Sequence, residues 1–185
     1  MIKAIDLTRG SFVLYNGQPY LVVERDLYSP GKGSALAHVK LKNIKSGAVL
    51  KVVFKTTDEL EEAAVEQREV KYLYSYRDSF CFVEGLENKR IMLSGAIVGD
   101  DKDFLKIGET YHIIFHENEP VVLKLPIKLE LIVAEAEDSV RGDTANATTK
   151  EVVLETGMRL KTPGFIKKGD KISVNTEKRE YTGRV

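Results

Sequence analysis

The feature that most limits how this chain can fold is the close spacing of its turn signals. Its apolar runs are short, and most are cut off by Gly, Pro, Asn or Asp before a helix of useful length could form. Ser11-Phe12-Val13-Leu14-Tyr15 is followed at once by Asn16-Gly17, the pair that best tolerates the φ > 0 of a two-residue hairpin turn. Residues 20–27 and 36–42 read as strands on either side of Ser29-Pro30-Gly31-Lys32-Gly33-Ser34. There Pro30 fixes its own φ and the glycines permit a tight reversal. In the second strand His38, Lys40 and Lys42 fall on one face and Val39 and Leu41 on the other. Lys45-Ser46-Gly47 makes another turn and 49–54 another strand, which together describe a small barrel. Residues 57–64 are the first with helix-like composition, with Asp58 as a candidate cap and Glu61 three residues on. A turn of helix or a plain connection would both fit there.

A second set of strands begins near Glu69-Val70-Lys71-Tyr72-Leu73-Tyr74, turns at Arg77-Asp78 and returns over 79–84. Segments 90–93 and 97–98 read as weaker strands and 100–105 as a helical turn. Segment 111–115 is a strand that turns at Glu117-Asn118-Glu119-Pro120 and returns over 121–125, and Pro126 is a natural boundary. In the third set, 128–134 places Leu129, Leu131 and Val133 opposite Glu130 and Ile132. The polar stretch 137–150 reads as a long loop, and 152–155, 158–161, 171–176 and 180–185 as strands. The fold class is therefore all-β, in three consecutive units spanning 1–64, 65–126 and 127–185. Each holds roughly 60 residues, near the lower limit for an independent core.

Composition narrows the function classes. With 43% apolar and 30% charged residues the chain fits an ordinary soluble globular protein. No apolar run approaches the roughly 20 residues that span a bilayer. Met1-Ile2-Lys3-Ala4-Ile5-Asp6 lacks the basic start and apolar core of a secretory signal. A cytoplasmic protein without a membrane partner is the expectation. Cys81, the single cysteine, sits between Phe80 and Phe82 and reads as a buried, inert thiol. Gly31-Lys32-Gly33-Ser34 is not a phosphate-binding loop: Asp26 stands where the first glycine is needed, Gly33 follows the lysine, and a strand comes next. His112 and His116 share one face of a strand and read as solvent-facing, and His38 belongs to another unit, so no metal ligands converge. No nucleophile elbow or cleft-forming acid pair is legible. The expectation is a non-enzyme with no cofactor and no metal.

What remains is Lys32, the only long side chain in its reversal. Turns often carry a lysine for solubility, and spacing alone favours that bland reading. Charge distribution adds to it. The net charge of zero argues against a simple nucleic-acid clamp. Yet between positions 25 and 55 Arg25, Lys32, Lys40, Lys42, Lys45, Lys51 and Lys55 face the single acid Asp26, and acids predominate from 65 to 126. One end of such a chain suits a phosphate-rich surface while the other stays away from it. Strands place charges on solvent faces in any case, so for a single lysine the bland reading stands beside the functional one. Lys40 and Lys42 are candidate RNA contacts on this ground.

Several motifs then occur in order. Pro30-Gly31-Lys32-Gly33 precedes a basic strand, followed by Tyr72-Leu73-Tyr74, Gly142-Asp143-Thr144-Ala145 and Leu154-Glu155-Thr156-Gly157. Pro163, Phe165-Ile166 and Gly169-Asp170-Lys171-Ile172 complete the series. In order and spacing, over essentially the whole chain, this resembles bacterial elongation factor P, of the family of the eukaryotic and archaeal hypusine-containing factor 5A. The resemblance implies an SH3-like, KOW-like N-terminal barrel and two OB-fold barrels in an L-shaped, tRNA-like arrangement. It implies a monomer whose partners are the ribosome and its rRNA, the P-site tRNA, the E-site mRNA codon and a lysine-modifying enzyme. Lys32, framed by Pro30, Gly31 and Gly33, would be the modified residue reaching the peptidyl-transferase centre at polyproline stalls. Arg141, Gly142, Asp143 and Thr144 would match the loop near the messenger RNA, and Tyr181 and Arg184 tail residues near the small subunit. Lysine rather than arginine at 32 leaves lysylation, another amine extension or no modification. Glu177 stands where the family carries a basic residue. The alternatives are a general RNA-binding β module or a divergent paralogue of the factor.

Overall fold

The structure is a computed structural model that describes residues 1–29, 35–85, 89–136 and 149–185. Strands β1 (Ile2–Lys3), β2 (Phe12–Tyr15), β3 (Gln18–Tyr28), β4 (Leu36–Asn43), β5 (Val49–Lys55) and β6 (Glu59–Glu62) form one antiparallel sheet, ordered β1-β6-β2-β3-β4-β5. Asn16 and Gly17, at φ 50° and 71°, close the turn that pairs Tyr15 with Gln18, as their side chains permit. Val13, Val22, Val39 and Leu41 alternate inward to build this sheet's core with Leu7 and Leu60. In β4 Ala37, Val39 and Leu41 are buried while His38 and Lys42 are exposed, the alternation the sequence predicts.

The helix-like composition of 57–64 does not become a helix. Its centre is β6, which pairs with both β1 and β2 and buries Leu60. Two waiting strand edges satisfy this backbone better than a solvated turn would, so pairing overrides local composition. Asp58 caps no helix; its carboxylate accepts the Lys55 N–H at 2.9 Å and closes the turn before β6.

Strands β7 (Glu66–Tyr76), β8 (Ser79–Glu84), β9 (Lys89–Ser94), β10 (Thr110–His116) and β11 (Glu119–Lys124) form a second sheet, ordered β11-β10-β7-β8-β9. Between β9 and β10 lie a single-turn helix, α1 (Gly95–Val98), and a 3-10 segment, Gly99–Phe104. The 3-10 segment matches the helical turn expected at 100–105. The strand expected at 97–98 is instead in α1, where Val98 is buried. Cys81 is buried in β8, as its phenylalanine neighbours indicate. His116 departs from expectation. It is only 8% exposed, and its Nδ1 lies 2.9 Å from the Ala64 carbonyl, so the ring is a packed, hydrogen-bonded element rather than a solvent-facing one. No cluster of metal-ligating side chains occurs among the described residues.

Strands β12 (Lys128–Ala136), β13 (Thr149–Leu154), β14 (Arg159–Pro163), β15 (Lys171–Asn175) and β16 (Glu180–Arg184) form the third sheet, ordered β14-β13-β12-β15-β16. Leu131 and Val133 point inward from β12 and Ile132 outward, as the alternation predicts. Their core contains one residue from far outside the sheet: Phe104, 1% exposed, packs with Leu131, Val152, Leu154, Leu160, Ile172 and Val174.

By its contacts the chain divides into two compact units, Met1–Gln67 with Ile114–Val122, and Arg68–Ile113 with Leu123–Val185. The first holds the six-stranded sheet. The second holds the Phe104-centred core. No helix among the described residues is long and apolar enough to cross a membrane.

Candidate functional site

The β3–β4 hairpin is the longest in the first sheet. Its register runs from Tyr20 opposite Asn43 to Tyr28 opposite Leu36, with one irregularity between Val22 and Glu24. That irregularity separates two kinds of strand. Up to Val22, β3 alternates into the core; beyond it Glu24, Asp26, Leu27 and Tyr28 are all exposed. The pair therefore continues as a ribbon whose β3 strand has left the core, while β4 stays anchored by buried Ala37 and Val39 and by its pairing with β5. Residues 29–35 connect the two strands. Pro30, Gly31, Lys32 and Gly33 lie outside the described residues.

The ribbon's exposed face is polar and ionic. Lys40 Nζ pairs with Glu24 Oε2, and this partner holds the Glu24 carboxyl below the usual carboxylate range. Glu24, Lys40 and Lys51 share one cross-strand row, and Asp26, His38 and Val53 the next. These side chains line a shallow depression on the sheet surface. Tyr28 stands edge-on to the His38 ring at 6.4 Å, closing the row nearest the connection. Arg25 donates to the Ile5 carbonyl, tying the ribbon to the segment after β1. Of the two predicted lysines, Lys42 is exposed on this face, while the ammonium of Lys40 is already engaged by Glu24. Sequence reading placed His38 on the face of Lys40 and Lys42 but gave it no role there, and it missed Glu24 and Tyr28. The signal was present in the period-2 register of 20–28 against 36–43, but it needs the pairing to be known.

The other candidates separate. Arg141, Gly142, Asp143 and Thr144 lie outside the described residues. Tyr181 lies across from Val174 and packs partly buried against the third core. Arg184 lies across from Ile172 and pairs with Asp170 at 3.0 Å. Asp170 also accepts the Lys167 N–H at 2.8 Å, so Arg184 braces a turn. Both tail residues thus have structural work, whatever else they touch.

Comparison with known proteins bears on the whole chain. Three family models match in succession: the elongation factor P KOW-like domain over residues 3–60, the elongation factor P OB domain over 65–123, and the elongation factor P C-terminal domain over 129–184. Elongation factor P of Treponema denticola is 42% identical over 185 residues, covering 100% of this chain and 99% of that protein. Elongation factor P of Thermotoga petrophila is 40% identical over 184 residues, covering 100% of both. A solved structure titled eukaryotic translation initiation factor 5A from Methanococcus jannaschii aligns with a TM-score of 0.46 at 21% identity, covering 65% of this chain and 86% of that one. With three successive domain models and full-length relatives agreeing, the chain belongs to the elongation factor P family.

Proposed function

We propose that this chain is a cytoplasmic, monomeric translation elongation factor of three barrels, 1–64, 65–126 and 127–185, which binds the ribosome between the P and E sites and promotes peptide-bond formation at polyproline stalls. The observation that carries the reading is full-length similarity, at 40–42% identity, to proteins named elongation factor P, together with the Pro30-Gly31-Lys32-Gly33 sequence between the paired strands β3 and β4. Proline is a stiff and poor nucleophile, so the remedy is positioning. A group that orders the peptidyl-tRNA lowers the entropic part of the barrier while the ribosome performs the chemistry. The ε-amine of Lys32, extended by a dedicated enzyme, is that group. The end of β3 that leads toward the connection at 29–35, Leu27 and Tyr28, is exposed. Lys42 on the ribbon face and residues 141–144 in the third barrel serve as RNA contacts to the P-site tRNA and the E-site codon.

Replacing Lys32 by alanine tests this in reconstituted translation of a polyproline message, with ribosome pelleting alongside. Near-complete loss of stall rescue with ribosome binding largely kept is the expected result. A small, salt-dependent loss of affinity with rescue intact would instead mark a plain RNA-binding module in which Lys32 touches one phosphate.

A further inference from the structure

The second sheet carries an exposed face that the Lys32 reading does not use. A bulge in β7 between Tyr72 and Tyr74 shifts the pairing with β8. Ahead of the bulge Lys71 lies across from Val83, and Val83 across from Arg90. Beyond it Tyr74 lies across from Cys81, and Cys81 across from Met92. Val83 and Cys81 are two apart on β8 and so share a face. The intervening Phe82 points the other way, into contact with the Tyr72 and Tyr111 rings at 5.2 and 6.5 Å. Without the bulge Tyr72 and Tyr74 would face the core together. With it, Tyr74 joins Lys71, Arg90 and Met92 outside, and Tyr76 follows.

The resulting surface has the makings of a stacking platform. Tyr74 is 43% exposed, Tyr76 64% and Met92 50%. The Arg77 guanidinium lies over the Tyr76 ring at 5.2 Å. Of the acids nearby, Asp78 has its carboxylate packed against Gly95, and Glu69 stands exposed two residues before Lys71 on the same face. Among the described residues neither Lys71 nor Arg90 is held in an ion pair. Strands β7, β8 and β9 are the first three of the segment matched by the OB-domain model, and barrels of that class take oligonucleotides on this part of the sheet. Exposed aromatic rings interleaved with unpaired cations suit a polyanion with accessible base faces better than an apolar protein surface.

We propose that the outer face of β7–β9 binds single-stranded RNA, with unpaired bases stacked on Tyr74 and Tyr76 beside Met92 and phosphates held by Lys71, Arg77 and Arg90. This site is independent of Lys32. The test uses the full chain and a fluorescein-labelled oligouridylate, read by anisotropy across a salt series, with circular dichroism confirming the fold of each variant. Tyr74→Ala and Tyr76→Ala should each weaken binding about 5- to 100-fold, and Tyr76→Phe should retain it. Lys71→Gln and Arg90→Gln should each flatten the slope of log affinity against log salt by about 0.7, and Lys32→Ala should bind as the unsubstituted chain does. A 4-thiouridine version of the oligonucleotide should photo-crosslink to peptides within 68–94, a map that requires no variant to fold. Crosslinks confined to other segments, unchanged affinity in both tyrosine-to-alanine variants, or no binding even at low salt would overturn the proposal. A protein that covers this face while the oligonucleotide leaves it free would overturn it too.

Discussion

The connection at 29–35 and the connection at 95–109 are both made largely of small and polar residues, yet the strands around them behave differently. The first is approached by the exposed end of β3, where Leu27 and Tyr28 have left the core behind. The second runs Gly-Asp-Asp-Lys-Asp and then buries Phe104 among residues of the third sheet. That insertion is reinforced. The Tyr111 hydroxyl donates to the Phe104 carbonyl at 2.9 Å and accepts the Lys106 N–H at 2.8 Å. Arg179, held at φ 56°, places its guanidinium 5.3 Å from the Phe104 ring and pairs with Asp103. One large apolar side chain with a core in reach separates the two cases. The sequence Pro30-Gly31-Lys32-Gly33-Ser34 offers no such side chain.

The sharpest way to break this contrast is Phe104→Ala. Removing a fully buried aromatic should cost about 3–5 kcal/mol, seen as a lower denaturation midpoint. A loss no larger than that of a surface substitution would mean the connection is not anchored. Tyr111→Phe comes next, since it strands the buried Phe104 carbonyl at about 1–3 kcal/mol and also removes the acceptor of the part-buried Lys106 N–H. It also has a pH signature. Burial raises the Tyr111 pKa above its ordinary value. The native state therefore keeps the proton after the unfolded chain has lost it, and stability should fall as pH rises above about 10. In the phenylalanine variant this alkaline loss should shrink; an identical pH profile in both proteins would remove Tyr111 from the account.

Gly95→Ala probes the start of the same connection. A Cβ there would sit 1.9 Å from Asp78 Oδ1, so the carboxylate must swing aside. We expect a penalty of about 1 kcal/mol, within the range for modest overpacking. In an Asp78→Ala background the penalty should vanish, because alanine is the better helix former. A penalty that persists there would place the strain in the backbone instead. The smallest effect belongs to the hairpin. Lys40→Gln should leave thermal stability unchanged within error, because the Glu24 pair is solvent-exposed and screened. A clear drop in melting temperature would show that the ribbon depends on its ion pairs.

Local chemistry made much of the fold legible. Asn16-Gly17 marked a turn, the alternation through 36–42 and 128–134 marked both strands and their faces, and Phe80-Cys81-Phe82 marked a buried strand. The candidate site was legible as a position, a lysine between two strands, because Pro and Gly punctuate the chain there. Its surroundings were not. Glu24 engages Lys40 only because of a particular register, and Arg184 meets Asp170 only because β16 returns beside β15.

Most strands, turns and facing directions follow from φ preferences and a two-residue period, which each stretch carries within itself, so the sequence alone determined those. Three things came only from tertiary structure: which edge β6 would join, which core would receive Phe104, and whether His116 would be buried. Each depends on a partner many residues away, supplying a free backbone edge, a cavity or a carbonyl that no local pattern announces.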